Sequence, residues 1–170
     1  IVEGKKCYER ECTNLDLCLV PQTLENIARI DRALSCPYGS MLLVGRSGVG
    51  RRSATQLVAY LQGAAFFAPS VLRSTNECAV LKHFRGEVKP VLQRVGVDGE
   101  QAILYVEDHH FVRSEAILEL LNSLLCAGHL PGTFTKDELD SLLMSSRDRP
   151  DPGNGNCVKT PYDYFADRIR

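Results

Sequence analysis

Residues 45 to 53 read Gly45-Arg46-Ser47-Gly48-Val49-Gly50-Arg51-Arg52-Ser53, and this run restricts the fold more than any other part of the chain. It matches the phosphate-loop pattern G-x-x-x-x-G-K-[ST] at Gly45 and Gly50, and departs from it where Arg51 and Arg52 replace the lysine and the hydroxyl residue. Successive backbone N–H groups can wrap a phosphate only where side chains leave the approach open and φ is free, which is why such a loop needs glycine. The flanks suit that use. Ser40-Met41-Leu42-Leu43-Val44 is a short apolar run between Gly39 and Gly45, the pattern of a buried parallel strand. After the loop, Ala54, Leu57, Val58 and Leu61 repeat at i, i+3, i+4 and i+7, and Gly63 marks the stop of that helix. Strand, glycine loop and helix place a positive helix N-terminus against the phosphate position.

Two further strands are expected at Ala64-Ala65-Phe66-Phe67-Ala68 and Ala102-Ile103-Leu104-Tyr105-Val106. A long helix is expected from about Asn76 to Val95, with Leu81, Phe84, Val88, Leu92 and Val95 inward and Pro90 kinking or dividing it. Other helices are expected over Leu24–Leu34, around Ile117, Leu118, Leu121, Leu124 and Leu125, over Lys136–Met144, and from Pro161 onward. Strands alternating with helices indicate an α/β fold with a parallel sheet flanked by helices. The stretch around 145–158, rich in Asp, Pro, Gly and Asn, reads as a loop or insertion. Leu17-Cys18-Leu19-Val20-Pro21 reads equally well as ordinary packing or as the place where Leu19 and Val20 would hold an adenine ring.

The third strand ends in Glu107-Asp108. In open α/β sheets ligands bind at the carboxyl ends of strands, so this pair is expected to face the glycine loop. The usual order is Asp for the metal and Glu for the attacking water, and here it is reversed. Asp is shorter than Glu by one methylene, about 1.5 Å, and a misplacement near 1 Å costs roughly 10²-fold in rate. Arg51 keeps the charge that the phosphates need, as a bulkier planar group. Arg52 cannot ligate Mg²⁺, and Ser53 lies about 100° further round the helix. The adjacent His109 and His110 are expected on opposite faces of an extended segment.

Twenty Lys+Arg against 21 Asp+Glu, a net charge of −1, exclude the basic excess of a nucleic-acid binder. No run approaches the ~20 apolar residues of a membrane span. Seven cysteines without C-x-x-C spacing, several in apolar surroundings, indicate a reduced intracellular chain. The absence of an initiator Met suggests an excerpt from a longer polypeptide.

Leu24-Glu25-Asn26-Ile27-Ala28-Arg29-Ile30-Asp31-Arg32-Ala33-Leu34, then Gly39 to Gly50, and then Leu121-Asn122-Ser123-Leu124-Leu125-Cys126-Ala127-Gly128-His129-Leu130-Pro131-Gly132 resemble the fourth AAA+ module of dynein heavy chains. The loop variant looks most like the cytoplasmic dynein of intraflagellar transport. The resemblance covers most of residues 17–170, with 1–16 expected as an N-terminal linker segment. It implies a partial AAA+ large subdomain, incomplete at its C-terminus, that binds ATP or ADP, with Mg²⁺, in a regulatory role within a six-module ring. Carried over by position, Gly45 to Ser53 would hold nucleotide, Ser53 and Glu107 would meet the metal, and Glu107 and Asp108 would be the hydrolytic carboxylates. The implied partners are neighbouring AAA+ modules of the same heavy chain, other dynein subunits and, through the full motor, the microtubule. The implied setting is the cytoplasm, cytoskeleton and cilium or flagellum. The departures at Arg51, Arg52, Glu107 and Asp108 imply weak or absent hydrolysis, and a nucleotide-free spacer of the ring is the alternative.

Overall fold

A computed structural model describes residues 1–70, 72, 74, 76–146 and 161–169. The sequence expectation at 145–158 lies for the most part outside them. The chain divides into two compact units, Ile1–Phe66 and Phe67–Arg170.

The first unit holds three helices, α1 (Val2–Glu11), α2 (Pro21–Leu34) and α3 (Arg51–Gln62). Pro21 at the first position of α2 suits its fixed φ and missing N–H. Gly63, at φ +69°, ends α3 as the sequence indicates. Ile27 and Ile30 of α2 pack with Ala54, Leu57 and Val58 of α3 and with Leu15 and Leu17 of the intervening chain. Leu61, expected inward, is largely exposed on α3. It lies so close to Gly4 of α1 that a Cβ there would fall 2.4 Å from Leu61 Cδ2.

Helix α1 is tied to α3 by Tyr60, whose hydroxyl donates to Glu11 Oε2 at 2.6 Å and whose ring meets Tyr8 edge-on at 5.2 Å. The hydrogen bond to Glu11, with lesser help from desolvation and the carboxylate charge, pushes the Tyr60 pKa up to about 12. A folded-state pKa above the unfolded value gives stability that is full below the ordinary tyrosine pKa and is lost as pH rises from there to about 12. Glu11→Gln is therefore expected to bring the tyrosinate absorbance of Tyr60 back toward an ordinary titration, and an unmoved curve would remove Glu11 as the cause.

Strand β1 (Ala65–Phe67) closes the first unit and opens the second, where β2 (Ala102–Leu104) follows α4 (Glu77–Gln93). The two strands form a small parallel sheet, with the Tyr105 N–H donating to Phe67 O at 2.8 Å. The remaining helices are α5 (Asp108–Arg113), α6 (Ala116–Ala127), α7 (Lys136–Ser146) and α8 (Pro161–Ile169). Asn76 caps α4, accepting from the amides of Cys78 and Ala79. Pro90 does not divide α4: the helix runs through it to Gln93 and then widens into a π turn, Arg94–Asp98. Proline has no N–H for the carbonyl four residues back, that of Gly86, so this one helical bond is missing where the helix runs on. The core joins Val80, Phe84, Val88 and Leu92 of α4 to Ile117, Leu120 and Leu124 of α6 and to Leu130. Leu118 and Leu125, expected inward, face solvent instead. Helix α8 buries Phe165 against Gly96 of the π turn, while Arg168 donates to the carbonyls of Gly96 and Val97 at 3.3 and 3.1 Å.

The expected strand at 40–44 is not formed. Residues 41–46 carry no regular structure, and Leu42 and Val44 are 87% and 85% exposed. A buried parallel strand needs hydrogen-bonded neighbours and covered faces, and among the described residues the sheet consists of β1 and β2 alone. Only Leu43 turns inward, onto the core of the first unit. The six described cysteines are unpaired thiols, all exposed rather than set in apolar surroundings. Among the described residues no helix is long and apolar enough to cross a membrane.

Candidate functional site

The glycine loop lies in the first unit. Gly48 and Gly50 have φ of +82° and +78°, the left-handed region that side chains avoid. Gly50 is the N-cap of α3, with no side-chain cap, and its carbonyl accepts the first helical bond from the Ala54 amide at 2.8 Å. The start of an α-helix offers its first backbone amides to an external acceptor, and α3 begins here without a side-chain cap. A Cβ on Gly48 would meet nothing within 4 Å, whereas one on Gly50 would come 2.7 Å from Leu17 Cδ1. Gly45, Arg46, Ser47 and Val49 are exposed around this turn, and Ser53 is half-buried on α3.

Arg51, standing where the lysine of the pattern would be, points back along the chain: its Nη1 donates to Leu43 O at 3.0 Å. The guanidinium satisfies a carbonyl that has no sheet partner. Thr55 Oγ1 also donates to Arg51 O, a turn back along α3. Leu19 is half-buried against the first-unit core, while Val20, the N-cap of α2, is about half exposed.

The acidic pair lies in the second unit, where the chain turns from β2 into α5. Glu107 is the N-cap of α5 and Asp108 its first residue. The Glu107 carboxylate is half-buried with His109 Nδ1 3.1 Å from Oε2, and the Asp108 side chain is fully exposed, accepting from the His109 N–H at 3.0 Å with His109 Nδ1 4.0 Å away. His109 and His110 do not point to opposite faces. Because a helix rather than an extended strand begins at Asp108, their rings stack at 4.5 Å with 24° between planes.

His110 is a residue that sequence reading left without a role. It is 3% exposed, and its Nε2 lies 3.0 Å from Pro69 O while Nδ1 lies 3.2 Å from the Glu107 amide. With the ring proton on Nε2, it donates to Pro69 O and accepts the Glu107 N–H. It thereby fixes the backbone of the acidic pair to the segment after β1. That segment is held a second time at Ser70, whose amide and hydroxyl both donate to Glu87, at 2.5 and 2.7 Å, with His83 Nε2 3.0 Å from the hydroxyl. Burial pushes the Glu87 carboxyl up, but the hydrogen bonds from Ser70 and the nearby His83 outweigh it and hold the group below the usual carboxylate range. The spacing of Glu107 and His110, N-cap to third helical residue, is the local signal that could have found this link.

A phosphate fits the loop, since Gly48 leaves its Cα face open and α3 begins without a side-chain cap. Among the described residues no three His, Cys, Asp or Glu side chains gather to hold a metal.

The family model described as "P-loop containing dynein motor region D4" matches residues 15–170. Cytoplasmic dynein 2 heavy chain 1 of Mus musculus is 41% identical over 170 residues, all of this chain and 4% of that protein. The protein of the same name from Chlamydomonas reinhardtii is 42% identical over 173 aligned residues, again covering the whole chain and 4% of the relative. The dynein-1-alpha heavy chain of the flagellar inner arm I1 complex of Chlamydomonas reinhardtii is 30% identical over 96% of the chain and 3% of its own length. The chain thus spans about one twenty-fifth of the cytoplasmic dynein 2 heavy chains it matches. With a glycine loop at a helix N-terminus, an α/β frame and a family match over residues 15–170, the chain belongs to the P-loop-containing dynein motor region D4 family.

Proposed function

We propose that the chain is a regulatory nucleotide-binding module of a cytoplasmic dynein 2 type of motor heavy chain, holding ATP or ADP and hydrolysing it slowly or not at all. One observation carries this reading: the uncapped amides and left-handed glycines at the start of α3 suit phosphate, while the cation beside them, Arg51, is already engaged by Leu43 O. Lysine at that position would be a mobile point charge, whereas arginine can bridge a carbonyl and an anion through separate N–H groups. Phosphate binding survives that arrangement, and transition-state stabilisation suffers, because it needs the cation free to follow the developing charge.

The acidic pair supports the same conclusion. Asp108 is exposed and short for orienting water, and Glu107 has His109 against its carboxylate. ATP, when bound, would supply the phosphoryl group. Gly48 and the α3 amides would hold its phosphates, Leu19 and Val20 would lie toward the base, and Ser53 and Glu107 are the residues offered to Mg²⁺. Occupancy would be read by neighbouring AAA+ modules of the same heavy chain, and through the motor by the microtubule and the ciliary transport implied by the resemblance.

Calorimetry with ATP and ADP on a heavy chain carrying this module, its other nucleotide sites disabled, is expected to show saturable binding, with single-turnover phosphate release far slower than in modules bearing lysine. Asp108→Asn is expected to reduce any residual release. Saturable heat absent for both nucleotides would favour the nucleotide-free spacer, and undiminished release in Asp108→Asn would remove Asp108 from the hydrolytic role.

A further inference from the structure

Helix α1 depends on the rest of the first unit for its own existence. None of its ten residues is buried, and a helix of that length is marginal in water on its own. Its helical state is therefore a consequence of docking. The Tyr60 hydroxyl holds Glu11, the Tyr8 ring meets Tyr60 and packs on the core, and Leu61 lies over Gly4. Tyr60 and Leu61 both belong to α3, the helix whose first turn adjoins the glycine loop.

A further contact of α1 leads to the loop itself. Lys5 Nζ donates to Leu17 O at 2.8 Å, with Glu9 Oε1 3.3 Å from the same nitrogen. Leu17 is buried, and its Cδ1 is the atom that a Cβ on Gly50 would meet at 2.7 Å. The Leu17 side chain thus braces the N-cap of α3 while its carbonyl is held from α1. The surrounding segment is folded tightly, with the Leu17 amide donating to Leu15 O at 2.7 Å and the Val20 amide to Cys18 O at 3.1 Å. Leu19 and Val20, set toward the base in the function proposed above, follow within three residues. Lys5 therefore anchors a stretch that touches the phosphate loop at one point and leads to the base side at the next.

We propose that Lys5 is a positioning residue for the nucleotide site, and that α1, through it, tunes the affinity of the glycine loop by docking and undocking. This rests on the nucleotide-binding reading given above. With α1 docked, Leu17 is held against Gly50 and the loop is presented in its binding conformation. With α1 undocked, the Leu17 carbonyl loses its cation and residues 12–20 gain freedom. Only a fraction of the loops is then competent, and the apparent affinity falls by that fraction. Linkage makes the effect reciprocal, so a nucleotide that prefers the docked state stabilises α1 without touching it. Helix α1 is the two-state element that such coupling requires.

Hydrogen exchange over Val2–Glu11, followed in the same heavy chain with its other nucleotide sites disabled, is expected to slow as ATP or ADP saturates the module. Lys5→Met should lower the affinity about fivefold, the lower end of typical coupling between sites, and should remove the nucleotide effect on α1. Lys5→Arg keeps a cationic donor and should recover most of both. Tyr60→Phe loosens α1 at its other end and should weaken binding in the same direction, while Arg29→Gln, exposed on α2, should leave it unchanged. Unaltered exchange across α3 shows that a variant is folded. Saturable heat with no change over α1, or a folded Lys5→Met chain of wild-type affinity, would overturn the role of α1 alone. Saturable heat absent for both nucleotides would overturn the nucleotide reading, and this role with it.

Discussion

Replacing Gly50 by Asp is expected to remove saturable binding of ATP and ADP while leaving the chain folded. The two halves of that expectation have separate causes. Asp is among the best N-cap residues, and Gly50 is the N-cap of α3 with no side-chain cap of its own. Its φ of +78° is one that Asp tolerates better than most residues. The near contact is Leu17 Cδ1, 2.7 Å from the new Cβ and the far end of a side chain that can turn away. The fold is therefore kept, at a cost of about 1–2 kcal/mol for the left-handed backbone. Binding changes greatly, because the Asp carboxylate takes the α3 amides that the phosphate needs and adds a like charge. At about 4 Å, with an effective dielectric near 20, that repulsion is about 4 kcal/mol, or roughly 10³-fold in affinity. Gly48→Ala separates steric from electrostatic exclusion, since its Cβ meets nothing within 4 Å of the protein. It is expected to weaken binding by a smaller factor at a folding cost of about 1–2 kcal/mol for the left-handed backbone. Calorimetry and thermal melting run in parallel decide the matter: unchanged affinity in both folded variants would place the nucleotide elsewhere or nowhere.

How much of this was legible in the sequence follows how local each feature is. The glycine loop, helix α3 and its stop at Gly63 could be read directly, because turn chemistry and helical periodicity act within a few residues. Residues 40–44 could not. Their apolar run is that of a buried strand, but a strand is made by its neighbours, and without a ladder Leu42 and Val44 are exposed while only Leu43 packs. Arg51 was legible as a departure from the lysine pattern, but its bond to Leu43 O was not, since that carbonyl is available only because the strand is absent. The acidic pair was found from its position after an apolar run, yet the stacking of His109 on His110 required knowing that a helix begins at Asp108. On α4, the start near Asn76 was visible, but its capping bonds and the π turn after Pro90 were not, because a helix register change leaves no periodic mark over five residues.

The largest loss of stability from a single methyl group is expected at Gly128, in the unit that holds the acidic pair. Gly128 ends α6 at φ +65°, so any side chain there is strained by about 1–2 kcal/mol. A Cβ would also fall 2.1 Å from Ala166 O of α8. That oxygen is backbone and cannot rotate aside. Relief requires α8 to move, and α8 is held by Phe165 against Gly96 and by Arg168 on the π-turn carbonyls. Overpacking of this kind costs about 1–3 kcal/mol, so Gly128→Ala is expected to lose about 2–5 kcal/mol in all, which for a chain of this size lowers the melting temperature by roughly 5–15 °C. Gly63→Ala is the control, with a similar φ of +69° and nothing within 4 Å of its Cβ. It carries the backbone strain without the collision and should lose only about 1–2 kcal/mol. The difference between the two melting temperatures therefore measures the contact of α6 with α8 alone. Equal losses would mean that α8 does not pack on Gly128, and the burial of Phe165 beside it would lose its support as well.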